Sequence, residues 1–252
     1  MILETRNLTK RFGGLIAVNR VNLTVNKGDF LLIVGPNGAG KTTLFNLITG
    51  YLPPSEGEVY FKGINITNMP PHKIVRLGIS RTFQITNIFP SLTVFDNVAL
   101  SVQRHLIKGF STFFPNNSLE RRIKEKTISI LEELRLHEMC DVYTIAGKLP
   151  HGIKKYVEIA MALASDPEVL LLDEPLGGLP TEEALELLNF IENFLKRKYT
   201  IIMIEHKLSL VKKIAEKIAV MHLGQIIAYG DYNEIIKSPV VKKTYLGKSE
   251  ET

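Results

Sequence analysis

Short apolar runs broken by turn-forming residues set the rhythm of this chain. Phe30 to Val34, Val169 to Leu172 and Thr200 to Ile204 are apolar at almost every position, which predicts buried strands. Other segments alternate apolar and polar residues, the mark of half-buried strands. Leu3 to Leu8 reads as an edge strand that Lys10-Arg11-Phe12-Gly13-Gly14 interrupts. Val21, Leu23 and Val25 alternate with Asn22, Thr24 and Asn26, and Glu58 to Lys62 alternates up to a turn at Gly63. Lys217 to Leu223 and Gln225 to Ala228 form a hairpin around Gly224. An antiparallel sheet is therefore expected ahead of the first buried strand.

Helical spacing fills much of the remainder. Leu44 to Ile48 is helical until Gly50, and Pro70-Pro71 opens a short helix ending near Gly78. Thr93 caps a helix running from Val94 towards Leu106. A helix from about Leu119 to Leu134 follows, with Ile123, Ile130, Leu131 and Leu134 on its apolar face. Ile153, Val157, Ala160, Met161 and Ala164 fall on one face of another. Thr181 caps a helix with Glu182 and Glu183 in its first turn, and a short helix lies near Asn233 to Lys237. Between these, Lys108 to Ser118 carries Phe110, Phe113 and Phe114 among glycine, proline and asparagine, and reads as a mobile or partner-contacting loop. The fold class expected is α/β, with residues 1–85 and 165–252 forming the core and about 86–164 an inserted helical subdomain.

Candidate chemistry concentrates at the ends of the buried strands. Gly35-Pro36-Asn37-Gly38-Ala39-Gly40-Lys41-Thr42-Thr43 fits G-x-x-x-x-G-K-[ST], and it lies between a strand and a helix as that phosphate-binding loop requires. Its glycines let backbone N–H groups face a phosphate, and the helix start adds its positive dipole end. Lys41 supplies a mobile charge for the β- and γ-phosphates, and Thr42 a hydroxyl for Mg²⁺. Asp173-Glu174 ends the second buried strand. Asp173 suits a Mg²⁺ ion held through water, and Glu174 suits orientation or deprotonation of an attacking water. Leu149-Pro150-His151-Gly152 opens a helix whose N-terminus is a second anion site. Phe12 either stacks on a base or packs as an ordinary phenylalanine. Gln84 can coordinate a hard cation and touch a water, or lie on the surface. His206 either contacts a γ-phosphate or is a packed or surface residue at a strand end.

Composition narrows the setting. The chain has 252 residues, 45% hydrophobic and 23% charged, with a net charge of +5, an ordinary globular balance. Its basic residues are scattered over helix faces, as in Arg121, Arg122, Lys124 and Lys126, which favours solvated surfaces over a nucleic-acid surface. The single cysteine, Cys140, rules out an intrachain disulfide and a cysteine metal cluster, and it is expected to be a small buried hydrophobe. No apolar run reaches membrane-spanning length and residues 1–6 lack a signal-peptide pattern, so a cytoplasmic protein is expected.

The phosphate loop, Gln84, Leu149–Gly152, Asp173-Glu174 and His206 occur in the order and spacing of ABC-transporter ATPase subunits, which the chain resembles over essentially its whole length. Arg81-Thr82-Phe83-Gln84, the phenylalanine-rich stretch near 110–114, Ile204-Glu205-His206 and Tyr245-Leu246-Gly247 resemble the LivG-type ATPases of branched-chain amino-acid importers. The resemblance implies a P-loop ABC ATPase core with an antiparallel β subdomain and an inserted helical one. It implies ATP and Mg²⁺ as ligands, Phe12 on the base, Gln84 on Mg²⁺ and water, and His206 as the switch histidine. It also implies membrane-spanning permease subunits and a second ATPase subunit, identical or related, as partners on the inner face of the cell membrane. A solute-binding protein acts indirectly, and no nucleic acid is involved. Urea or short amides are the other solutes implied, and an ATP-binding dimerisation switch with weak hydrolysis is the other activity. Two departures stand out. Pro150 replaces the serine of the usual Leu-Ser-Gly-Gly-Gln signature and brings no N–H, and Pro180 replaces the acidic or amide residue that usually ends the loop after Glu174. Both fall on the surface offered to the opposite subunit, so the site this chain completes for a partner is expected to be the weaker one.

Overall fold

The computed structural model describes residues 1–83, 88–107, 117–206 and 214–244. The expectations for Gln84, the 110–114 stretch and 245–247 therefore lie outside the described residues, as do parts of the 86–164 insertion. Two sheets organise the rest. Strands β1 (Leu3–Phe12), β2 (Leu15–Val25), β4 (Glu56–Phe61) and β5 (Ile64–Asn65) form a four-stranded antiparallel sheet in the order β2-β1-β4-β5. Strands β3 (Phe30–Val34), β6 (Ile79–Arg81), β7 (Val169–Asp173), β8 (Thr200–Ile204), β9 (Lys217–His222) and β10 (Gln225–Gly230) form the second sheet, ordered β10-β9-β3-β8-β7-β6. All its pairings are parallel except the β9–β10 hairpin.

Leu3 to Leu8 is not an edge strand. β1 pairs with β2 on one side and β4 on the other, and continues through Lys10 and Arg11 to Phe12. Register shifts along it break the strict alternation, and Asn7 has a left-handed φ of 47°, so the two-residue period that marks a fully paired strand is blurred. The three apolar runs are strands β3, β7 and β8, buried at every position. Their side chains divide between two cores. Phe30, Leu32, Val34, Leu170, Leu172, Ile201 and Met203 face one, whereas Leu31, Ile33, Val169, Leu171, Ile202 and Ile204 face the other. Burying each such side chain contributes roughly 1.5–3 kcal/mol, so this sheet supplies much of the stability of the fold.

Helix α1 (Lys41–Ile48) and the antiparallel sheet cover the second core. Over the first core lie α3 (Val94–Leu106), α4 (Asn117–Glu133), α5 (Leu136–Met139), α6 (His151–Leu163) and α7 (Thr181–Phe190). Helix α2 (Pro71–Leu77) precedes β6, and α8 (Tyr232–Lys237) and α9 (Pro239–Thr244) follow β10. Helices α3 to α6 stand between β6 and β7 in the chain, and share the first core with the sheet rather than owning a separate one. Thr93 caps α3, accepting the Asp96 N–H. Thr181 does not cap α7, because Pro180 occupies the N-cap position and Thr181 is the first helical residue, with no side-chain cap. Helix α6 is buried nearly all round rather than along one stripe, since it lies among α3, α4, α5, α7 and β6. Cys140 is only half-buried. No helix among the described residues is long and apolar enough to cross a membrane.

Candidate functional site

Parallel pairing brings distant chemistry together. Asp173 lies opposite Ile204 in the β7–β8 register, and Ile33 lies opposite Ile204 in the β3–β8 register. The residues that follow β3, β7 and β8 therefore emerge side by side at the C-terminal edge of the sheet, where open α/β sheets hold ligands. A cleft of about 460 Å³ opens there, lined by Phe12, Asn37–Thr43, Glu174 and His206, with Leu15, Ile16, Ala17 and Leu223.

The glycine loop is held closely. A Cβ on Gly35, whose φ is 156°, would stand 2.2 Å from the Met221 carbonyl oxygen. Gly40 at φ 98° is as tightly placed, with the Ala17 carbonyl oxygen 2.2 Å from an added Cβ. These two positions need glycine because backbone from β9 and β2 closes on them. Lys41 Nζ donates to the Gly35 and Pro36 carbonyls at 2.8 and 3.0 Å. Burial pulls the Lys41 ammonium below its ordinary pKa, against the opposing charges of Glu174, Asp173 and Glu205. Thr42 and Thr43 follow it, half-buried, in the first turn of α1. Phe12 is 46% exposed at the cleft and so is not a packed core residue.

Glu174 and His206 meet across the cleft floor. His206 Nε2 is hydrogen-bonded to Glu174 Oε1, an ion pair when the imidazole is protonated. Glu174 adopts a left-handed φ of 49°, uncommon for a residue with a side chain, and its N–H is held by the Ile204 carbonyl at 3.0 Å. A third acid supports them. Glu205 is buried and its Oε1 accepts the Leu176 N–H at 2.9 Å, while Oε2 accepts the His206 N–H at 3.2 Å. One carboxylate thus fixes both the turn after Glu174 and the backbone of its histidine partner.

Asp173 stands below the cleft, 1% exposed. Its Oδ2 accepts from Arg81 Nη2 at 2.6 Å, and its Oδ1 is buried with no hydrogen-bond partner among the described residues. Burial pushes the Asp173 carboxyl above its ordinary value, against the pull of Arg81. An orphaned carboxylate oxygen, with the Thr42 hydroxyl at the start of α1, is a donor set of the kind Mg²⁺ takes when nucleotide phosphates complete its shell. No cluster of three or more histidine, cysteine or acidic side chains able to hold a metal occurs among the described residues, so the structure offers no all-protein cage.

Leu149, Pro150, His151 and Gly152 are not brought into this cleft. Pro150 is the N-cap of α6 and makes no side-chain cap bond. Pro150 and His151 are exposed, and His151 Nε2 lies 3.4 Å from the Gly177 carbonyl oxygen. Gly152 was expected to allow an anion close approach. Instead the Glu183 side chain fills that space, its Oε2 2.4 Å from where a Cβ would be. Sequence reasoning missed Glu205, the Arg81–Asp173 pair, and Glu158, which is buried on α6 and accepts the Phe83 N–H at 2.9 Å. Arg81 and Glu205 stood within segments that carry the resemblance, but the signal for what they contact was no more than a charged residue within or beside an apolar run.

The model of the ABC transporter family matches residues 18–177. The chain is similar to the probable branched-chain amino acid transport ATP-binding protein LivG of Archaeoglobus fulgidus, 38% identical over 250 residues, covering 99% of this chain and 96% of that one. It is similar to the high-affinity branched-chain amino acid transport ATP-binding protein BraF of Pseudomonas aeruginosa, 38% identical over 253 residues and 98% of each chain. Among solved structures, the ADP conformation of an ATP-binding cassette of an ABC transporter superposes with a TM-score of 0.84 at 36% identity, covering 98% of each chain.

Proposed function

This chain belongs to the ABC transporter family, and from that membership we propose that it is the ATP-hydrolysing motor of an importer for branched-chain amino acids. One observation carries the motor: the glycine loop, Lys41, Glu174 and His206 line a single cleft beside the exposed ring of Phe12. The near full-length similarity to relatives named for branched-chain amino acid transport supports the choice of solute.

The lining of the cleft supports these roles. Loop amides and Lys41 bind the phosphates, and Phe12 stacks on the adenine. Glu174 takes a proton from the attacking water, and His206 holds the Glu174 carboxylate in place. Thr42 and Asp173, with Gln84 as the resemblance implies, would hold Mg²⁺, which when bound would neutralise charge on the phosphates. Leu149–Gly152 lie outside the chain's own cleft, which is compatible with the family arrangement in which they serve the ATP of a second cassette and two cassettes share two sites, once the Glu183 side chain moves off Gly152. Membrane-spanning permease subunits supply the path, a solute-binding protein delivers the solute, and the cassette works from the cytoplasmic face.

Mg²⁺-dependent ATP hydrolysis by the purified chain, followed against protein concentration beside Glu174→Gln, tests the motor. The rate per subunit rises steeply with concentration, and the variant binds ATP but turns over about 10²–10⁴-fold more slowly. A wild-type rate from Glu174→Gln overturns the assignment. In the assembled transporter, leucine-loaded binding protein stimulates hydrolysis; stimulation by urea or a short amide instead overturns the solute.

A further inference from the structure

Arg81 has no part in the roles above, yet it is among the most constrained side chains near the site. Its side chain is 4% exposed. Nη2 donates to Asp173 Oδ2 and Nη1 donates to Asn46 Oδ1, both at 2.6 Å. The guanidinium also lies 5.4 Å from the Phe45 ring centroid and 5.1 Å from that of Phe83. It therefore joins three pieces of the machinery: the glycine-loop helix α1 through Phe45 and Asn46, the β7 carboxylate, and the segment leading to Gln84.

The form of the pair is the telling feature. Arginine and a carboxylate commonly join by two parallel hydrogen bonds that occupy both oxygens. Here only one prong is made. Arg81 Nε and Asp173 Oδ1 are both buried without a hydrogen-bond partner among the described residues. Nη1, the remaining guanidinium nitrogen, is held by Asn46 instead. A second tie acts on the Asp173 backbone, whose N–H donates to Thr82 Oγ1 at 3.3 Å. The carboxylate is thus fixed at one oxygen and bare at the other.

We propose that Arg81 is a positioning residue for Asp173, holding Oδ2 so that Oδ1 is the oxygen presented to Mg²⁺ or to its water. Lysine is not equivalent, because a point charge lacks the flat, two-directional donor plane that reaches Asn46 and Asp173 together. The inference rests on the assignment of Asp173 to the metal, and the test separates the two.

Mn²⁺ binding to the full chain with a non-hydrolysable ATP analogue, read by electron paramagnetic resonance, is compared for wild type, Asp173→Asn, Arg81→Met and Arg81→Lys. Nucleotide binding in EDTA is measured alongside. Asp173→Asn weakens Mn²⁺ binding and so confirms the metal assignment. Arg81→Met weakens it by about 10–100-fold, the range for groups that orient a metal ligand, and Arg81→Lys falls between. Both Arg81 variants bind nucleotide in EDTA as wild type does. If Asp173→Asn weakens Mn²⁺ binding and neither Arg81 variant does, Arg81 is structural only and the inference fails. If nucleotide binding in EDTA falls in step with Mn²⁺ binding, Arg81 supports the glycine loop as a whole and the inference fails. If Asp173→Asn has no effect, the metal assignment fails and the inference with it. Should Arg81→Met not fold, Arg81→Lys decides alone, since it keeps the charge and loses the plane.

Discussion

At Gly35 a single methyl group meets backbone. An alanine there would push its Cβ against the Met221 carbonyl oxygen, 2.2 Å away, and that oxygen belongs to a strand paired within the sheet. Gly35→Ala is expected to cost about 3 kcal/mol, visible as a lower denaturant midpoint, because neither backbone can yield cheaply. Phe12 is the opposite case. Half exposed at the cleft, it supports little of the fold, so Phe12→Ala leaves stability near wild type. It weakens ATP binding by about 1–3 kcal/mol, the usual worth of base–aromatic stacking. Calorimetry with ATP and with tripolyphosphate separates a lost base contact from a damaged phosphate loop, since only the ATP affinity falls. The glycine loop was legible in the sequence because its spacing is itself the chemistry. That Phe12 stands exposed at the cleft rather than packed in the core is something no spacing encodes.

Helix α6 is tied to the segment just after β6 by one buried acid. Glu158 accepts the Phe83 N–H just before Gln84. Glu158→Ala removes that acceptor, and the stranded amide costs about 1–3 kcal/mol, read as a drop in unfolding free energy that Glu158→Gln largely restores. On the same helix, Tyr156 is 8% exposed and its ring sits 5.2 Å from that of Phe190. Burial raises its phenol to about 12, from an unfolded value of 10. A raised pKa gives stability that is present below pH 10 and lost as pH rises through about 12. Unfolding titrations should show a fall in that window, lessened in Tyr156→Phe. The apolar face of α6 was legible from its spacing, but its burial all round was not. Period reports one face, and the neighbours that cover the other come from five different elements.

For the molecule as a whole, two helix starts outside its own cleft carry proline at the cap. Pro150 caps α6 without a side-chain bond, and Pro180 does the same for α7. In an assembled two-cassette complex, disabling one site at a time with Lys41→Ala or Glu174→Gln is expected to show slower hydrolysis at the site that Pro150 completes. Equal rates at the two sites would remove the idea. Pro150→Ser should narrow the difference by returning a hydroxyl and an N–H to that helix start.

Local chemistry was written in the sequence itself. The glycine loop, the acids at the end of β7, the buried strands and the order of the motifs are set by which side chains stand next to which, and neighbours in the chain are neighbours in space. The rest needed the fold. β1 lies inside its sheet because β4, some fifty residues later, pairs with its free edge. Glu205 and Arg81 make their contacts because parallel strands set their ends in one row, so that a buried acid just after β8 reaches the turn after Glu174 and a guanidinium on β6 reaches Asp173. These are contacts between segments far apart in the chain, decided by packing that only the closed sheet creates.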